Sequence, residues 1–528
     1  MEKVIEKNTK NAEMVTISRS EYEDLKAQNA ELTGQVKWLM EQMRLVRQKR
    51  FGASSEKSEY DQLNLFNEAE ATADSGIAEP ELTEVKSHYR KKAKESGDRL
   101  PADLPVEVVE HFLPEDERIC PECGGPLHIM GKEIRRELKL IPAKAVIVEH
   151  VDYVYACRDC EKDACGVPIF KAPMDKPVIK GSFASPEAVS HIMTQKFVSG
   201  VPLYRQEQGL VRDGIILSRQ TMSNWLLKCS EEWLTPIYET LHEMLCEREV
   251  LHADETVLQV LHEEGKTAQS KSYMWVYRTG GDTDAHIVLY DYQPDRRSKR
   301  PEDFLKGFKG YLHTDGYAGY HSLPNDIVIV GCWAHARRKF DETLKMLPEK
   351  DRAGSDSLCA KQYCDKLFAI EKQLKDCTPE ERYEKRQKLA KPVLAAFLSY
   401  LHSIKPAPKT GFGKAAHYVL DQWKYLERYL LDGRLEISNN RAERSVKPFV
   451  IDRKNFLFAN TARGAKASAV IFSIIETAKE NGLNPYAYLS YIFKKAPNYL
   501  EWPNNVEALQ SLLPWFVPDS CKSGSVTD

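Results

Sequence analysis

Val250-Leu-His-Ala-Asp254-Glu255-Thr256 and Gly310-Tyr-Leu-His-Thr-Asp315-Gly316 decide the fold of this chain. Each is a β-forming run that carries an aspartate. Val250–Leu258 is the first of three successive β-like runs, followed by Tyr273–Thr279 and His286–Tyr292. A short helix is predicted at Pro301–Phe308. The run that reaches Asp315 then reads as a fourth strand closing on an Asp-Gly turn. Ile327–Gly331 is apolar throughout and suits a strand buried on both faces, and Ala334–Met346 has helical spacing.

Three strands, a helix, two strands and a helix make an RNase H-like order, in which the fourth strand lies beside the first. Side chains alternate across a strand, so Asp254 and Glu255 face opposite ways. A carboxylate inside an apolar strand is costly unless it is paired or binds a cation. If Asp254 and Asp315 converge, a pair of Mg²⁺ (or Mn²⁺) ions would relieve their repulsion. Taken singly, either aspartate reads as an unrelated strand-end residue. The candidate third carboxylate is Glu443, in Ile437-Ser-Asn-Asn-Arg-Ala-Glu443-Arg444-Ser-Val-Lys447-Pro448. Between residues 434 and 466 eight basic residues face three acidic ones. Arg441, Arg444, Lys447, Arg453 and Lys454 are candidate DNA contacts there. An ordinary surface helix with a Glu443–Lys447 pair fits the same spacing.

The 528 residues allow three to four domains at about 150 residues each. Lys plus Arg number 75 and Asp plus Glu 78, a net charge of −3. That excludes a uniformly basic protein but permits local basic patches. No apolar run approaches the about twenty residues of a membrane helix, and the N-terminus lacks the pattern of a signal peptide. A cytoplasmic, nucleoid-associated protein with no membrane partner is expected. In that compartment cysteines point to metal rather than disulfides.

Residues 15–58 are read as a leucine-zipper helix that makes a homodimer, with Leu25, Leu32, Leu39 and Val46 at one heptad position and Asn29 at the other. A linker (59–104) follows, acidic and then basic. A zinc ribbon is expected at 105–180, where Cys120, Cys123, Cys157 and Cys160 supply four thiolates for a structural Zn²⁺. Its β-rich runs are Glu137–Ile141 and Ala145–Ala156. Residues 181–245 read as short helices in a helix-turn-helix-like DNA-binding domain, with Ser185 and Ser218 as caps and Arg219, Gln220, Ser223 and Asn224 facing DNA. The catalytic core is divided into 246–340 and 433–495, separated by a helical stretch at 341–432. Residues 496–528 are left as a tail. Arg337, Arg338 and Lys339 are further phosphate candidates. His335 beside them reads as a group that orients a phosphate or moves a proton, or as a buried structural histidine.

His252-Ala-Asp254-Glu-Thr, His313-Thr-Asp315-Gly-Tyr-Ala-Gly-Tyr320, Cys332-Trp-Ala-His335-Ala-Arg-Arg-Lys-Phe340 and Asn439-Asn-Arg-Ala-Glu443-Arg resemble the motifs of bacterial DDE transposases of the insertion sequence 66 family. Arg50-Phe-Gly-Ala-Ser-Ser-Glu-Lys57, Pro202-Leu-Tyr-Arg205 and Arg453-Lys-Asn-Phe-Leu-Phe458 extend the likeness nearly end to end. The resemblance implies a D-D-E triad, carried onto Asp254, Asp315 and Glu443, on an RNase H-like fold with a helical insertion. It also implies terminal inverted repeats and target DNA as substrates, and accessory proteins of the element. The expected reaction is metal-dependent hydrolysis at the element ends followed by 3′-hydroxyl strand transfer. Two alternatives remain: a non-catalytic zinc-containing DNA-binding regulator, and an RNase H-like nuclease without strand transfer.

Overall fold

Strand β3 (Val250–His262) forms where β-branched and apolar residues place Leu251, Ala253, Leu258 and Val260 in the core. The computed structural model describes residues 146–151, 174–404 and 406–524, the backbone of 154–156 and 169–171, and the isolated positions Glu23 and Lys26. The zipper, the linker and the four ribbon cysteines lie outside the described residues. Lys57–Asp175 and Lys176–Ser523 fall into separate compact units.

In the first unit, β1 (Val154–Ala156) pairs antiparallel with β2 (Ile169–Lys171), Tyr155 opposite Phe170. The strand expected over Ala145–Ala156 is therefore shorter, because residues 146–151 carry no strand. Val146 and Ile147 there are exposed. β propensity yields a strand only where a partner strand takes up its hydrogen bonds.

In the second unit, helices α1 (Pro186–Phe197), α2 (Leu203–Arg212), α3 (Arg219–Cys229) and α4 (Thr235–Cys246) precede the sheet. Ser185 accepts from the Ala188 amide at 3.1 Å and Ser218 from the Thr221 amide at 3.1 Å, so both caps act as read. The turn between α2 and α3 passes through Gly214 at φ +78°, a backbone region that a side chain disfavours.

The sheet continues with β4 (Lys271–Thr279), β5 (Val288–Gln293), helix α5 (Lys299–Phe304), β6 (Gly310–His313) and β7 (Ile327–Val330). Its order is β5-β4-β3-β6-β7. The first three strands are antiparallel and the β3-β6-β7 side is parallel. β3 runs four residues beyond its expected end. Gln259 pairs with Lys271 of β4, and Val260 and His262 pair with β8 (Ala459–Thr461), a partner remote in sequence.

Helices α6 (Trp333–Met346), α7 (Asp356–Gln373), α8 (Pro379–Ile404) and α9 (Gly411–Leu426) enclose a second apolar cluster, including Trp333, Phe340, Leu394, Phe397 and Leu401. Helix α10 (Asn440–Phe456) then crosses β3 and β4. Helix α11 (Ala462–Glu480) covers β5. There Ser473 accepts from the Tyr290 amide at 2.7 Å, and Thr477 accepts from the Val288 amide and donates to its carbonyl, each at 3.0 Å. Helix α12 (Pro485–Lys495) follows. Residues 496–523 are not a tail. Leu512 and Leu513 are buried, and Tyr488 donates to the Leu512 carbonyl at 2.8 Å. Short, irregular segments of this kind lack the periodicity that would mark them in sequence.

Candidate active site

The register of β3 and β6 sets Val250 beside Tyr311, Leu251 beside Leu312 and His252 beside His313. Asp254 follows His252 by two residues in β3, Asp315 follows His313 by two residues just past the end of β6, and the charge of Asp315 reaches Asp254. Neighbouring strands are about 5 Å apart, so the two carboxylates share one end of the sheet. The histidine rings stack at 4.3 Å with planes 9° apart. Burial pushes His252 down to about 3, and it drives His313 well below the usual histidine range with help from His252. Both rings are neutral. Gly316 adopts φ +91°, which turns the chain immediately after Asp315.

Asn439 brings in the third carboxylate. It is the residue before α10, and its carbonyl accepts from the Glu443 amide at 3.2 Å. Its side chain donates to the Ala253 carbonyl at 2.8 Å, which leaves its Oδ1, 3.0 Å from His252 Nδ1, to accept. His252 therefore carries its proton on Nδ1. The Asn439 amide donates to Cys332 Sγ at 3.2 Å. One asparagine thus joins the residue before Asp254, the start of α6 and the first turn of α10.

The electrostatics follow from this convergence. Asp254 keeps part of its surface open to solvent, yet burial is the largest cause holding its carboxyl well above the usual range. The charges of Glu255, Asp315 and Glu443 add to it, and only the Glu255 amide, donating to Oδ1 at 2.9 Å, opposes them. Glu255 points the other way and is fully engaged. Arg296 reaches its Oε1 through Nε at 2.7 Å and also through a second nitrogen, and the Tyr320 hydroxyl donates to Oε2 at 2.7 Å. Adjacent acids in one strand therefore have different fates. Burial and Asp315 raise the Glu255 carboxyl and Tyr320 and Arg296 counter them, whereas Asp254 faces like charge opposed by a backbone amide alone. Asp315 Oδ1 accepts from the Tyr317 amide at 3.0 Å, and Tyr418 donates to the Asp315 carbonyl at 3.0 Å.

Glu443 meets Arg338 at 3.3 Å and His335 Nδ1 at 3.5 Å. Burial lowers the His335 pKa, while Glu443 opposes that shift. Arg337 is drawn to Asp365 at 2.5 Å, Arg441 to Glu436 at 2.6 Å, and Arg453 to Thr256 at 3.2 Å and the Val257 carbonyl. Arg444, Lys447 and Lys454 are exposed along α10. Arg219, Gln220 and Asn224 are exposed on α3, a separate element, where Gln220 donates to Asn224 at 3.1 Å. The sequence reading missed Asn439 and the Glu255–Arg296–Tyr320 network. Asn439 lay inside the quoted Ile437–Pro448 run as a helix-start residue. Arg296 carried no signal, because its partner is 41 positions away.

Oxygen donors in this arrangement suit hard divalent cations, and clustered negative charge on a half-buried aspartate is the state such cations relieve. An α/β protein with an acidic cluster at a sheet end and basic side chains along the adjoining helix is of the class that works on polyanions. The match to known proteins is more specific. Residues 181–467 match the transposase IS66 family. Residues 117–161 match the zinc-finger binding domain of transposase IS66, and 473–515 the IS66 C-terminal element. Residues 38–109 match the transposase C of IS166 homeodomain. The chain belongs to the IS66 transposase family, and its activity is DNA transposition. Two relatives from Sinorhizobium fredii (strain NBRC 101917 / NGR234) are similar over most of their length. "Uncharacterized protein y4jD" is 29% identical over 440 residues, 81% of this chain and 83% of the relative. "Uncharacterized protein y4qI" is 30% identical over 468 residues, 83% of this chain and 82% of the relative. The zinc-finger match spans all four ribbon cysteines and supports zinc there. Among the described residues no helix is long and apolar enough to cross a membrane.

Proposed function

We propose that this chain is a DDE transposase that hydrolyses phosphodiesters at the element ends and joins the freed 3′-hydroxyls to target DNA, using Asp254, Asp315 and Glu443. The observation that supports the proposal is the parallel β3–β6 pairing, which ends two residues before each aspartate, with the charges of Asp315 and Glu443 both acting on Asp254 and Asn439 tying the Glu443 turn to the same strand. The β5-β4-β3-β6-β7 order, three antiparallel strands and two parallel ones, supports an RNase H-like core. The three carboxylates would hold two Mg²⁺ or Mn²⁺ ions, which supply an activated water and stabilise the leaving 3′-oxygen. Among the described residues Asp254 has no basic partner, which leaves its side chain for ligation. Glu255, clamped by Arg296, fixes the strand. Arg338 holds Glu443 Oε2, and Oε1 lies 3.5 Å from His335 Nδ1. Arg444 and Lys447, exposed beside Glu443, would bind the flanking phosphates, as would Lys454 further along α10.

The four cysteines at 120, 123, 157 and 160 would hold one structural zinc in the ribbon. Residues 181–245 would contact DNA through Arg219, Gln220 and Asn224. Residues 246–340 and 433–495 form the core in this reading, with 341–432 inserted as a helical unit. The heptad at 15–58 would pair two chains, which pairing of two element ends requires.

Asp254→Ala is expected to abolish cutting of end-bearing DNA while retaining binding to it. Incubation of the full chain with element ends, Mg²⁺ and a plasmid target separates the readings. Cutting plus joining supports the transposase. Cutting alone supports a nuclease, and binding alone a regulator. Cleavage by Asp254→Ala would remove the triad assignment.

A further inference from the structure

Cys332, His335 and Glu443 are each explained only in part by the site above. Their donor atoms lie within 4.8 Å of one another. His335 Nδ1 and Glu443 Oε1 are both buried, 3.5 Å apart, and neither has a hydrogen-bond partner. Cys332 is the residue before α6 and His335 lies one turn on, so both donors come from the start of one helix. Glu443 comes from the first turn of α10, and the Asn439 amide on Cys332 Sγ fastens the two helix starts together. A backbone amide donating to a buried sulfur suits a thiolate that a cation has deprotonated.

We propose that Cys332, His335 and Glu443 form a site for one borderline-soft divalent cation, Zn²⁺ above all, distinct from the hard-cation pair of the triad. Thiolate and imidazole donors select Zn²⁺ over Mg²⁺. Tetrahedral zinc separates its nitrogen and oxygen donors by about 3.3 Å, close to the 3.5 Å between His335 Nδ1 and Glu443 Oε1, and the Cys332 sulfur lies within 4.8 Å of both. Three protein ligands leave one position for water. Binding releases the Cys332 proton to solvent. Glu443 serves both sites, so zinc here draws it away from Asp254 and Asp315 and opposes Mg²⁺-driven cutting. That consequence rests on the triad reading; the site itself does not.

The full-length chain is saturated with Zn²⁺, desalted, and its zinc counted per chain. Wild type is expected to carry one zinc more than either Cys332→Ser, which keeps an acceptor for the Asn439 amide, or His335→Gln. The Co²⁺-loaded forms of wild type and Cys332→Ser should differ by a thiolate-to-cobalt charge-transfer band. Equal zinc content in wild type and both variants would overturn the site. In cutting assays at fixed Mg²⁺, each protein is normalised to its own zinc-free rate. The Zn²⁺ concentration for half-inhibition should rise about tenfold or more in Cys332→Ser, since even an outer partner of a metal ligand is worth that much. An unchanged half-inhibition would overturn the sharing of Glu443. Asp254→Ala should retain the extra zinc. If it does while no form of the protein cuts DNA, the triad reading fails and the site stands.

Discussion

Arg386→Leu is expected to destabilise the second compact unit by about 4 kcal/mol, the middle of the cost of breaking a buried ion pair. The guanidinium is 1% exposed, and its hydrogen bonds account for all five N–H donors. Nε and a terminal nitrogen hold the two Glu371 oxygens at 2.8 and 2.6 Å. The remaining donors reach the carbonyls of Tyr429, Asp432 and Leu435 at 2.8, 2.9 and 2.8 Å. Leucine fills the space but leaves the Glu371 carboxylate uncompensated and takes the guanidinium donors from three carbonyls, of which that of Asp432 keeps the Leu435 amide at 3.3 Å. A loss of about 4 kcal/mol is a large share of the roughly 5–15 kcal/mol of a whole domain. Urea unfolding, followed by the fluorescence of Trp333 and Trp423, which meet edge to face at 5.7 Å in the same cluster, reads the loss as a lowered midpoint at unchanged slope. The double variant Arg386→Leu with Glu371→Leu should recover most of it, because no lone charge remains. A single-variant cost below about 1 kcal/mol, or a double variant no better than the single, would refute the reasoning. The same contacts anchor residues 429–435, which lead into Asn439 and Glu443. Cutting activity should therefore fall with the midpoint.

Mg²⁺ at a hundred times its dissociation constant should raise wild-type stability by about 2.7 kcal/mol, a gain removed by EDTA and missing in Asp254→Asn. An equal gain in that variant would disconnect Asp254 from the metal. Burial pushes the Asp452 carboxyl up to about 7, well above its ordinary 3.8. Between those values the folded chain holds a proton that the unfolded chain has released, so stability falls as pH rises from about 4 to 7. Asp452→Asn should flatten that slope in thermal melts, and an unchanged slope would exclude Asp452 as its source. Ser218→Ala should cost about 1 kcal/mol by removing the cap of α3. A larger loss in DNA affinity than in stability would show that α3 also contacts DNA.

Local chemistry was legible from the residues alone. The succession of strands and helices along the chain, the caps at Ser185 and Ser218, the helical spacing of Leu394, Phe397 and Leu401, and the candidate acids each rest on neighbours a few positions apart, where periodicity and side-chain type decide the outcome. The sequence could nominate Asp254, Asp315 and Glu443 as carboxylates of one kind. What brings them together belongs to the tertiary structure: the parallel β3–β6 register and an asparagine that reaches back 186 positions to the Ala253 carbonyl. The same holds for the division of labour between Asp254 and Glu255. As adjacent acids in one strand they are alike until the fold supplies Arg296 and Tyr320 to Glu255, while burial and neighbouring acids act on both. Periodicity fixes which way a side chain points, but only packing fixes what it meets there, and the charge of a buried acid depends on what it meets.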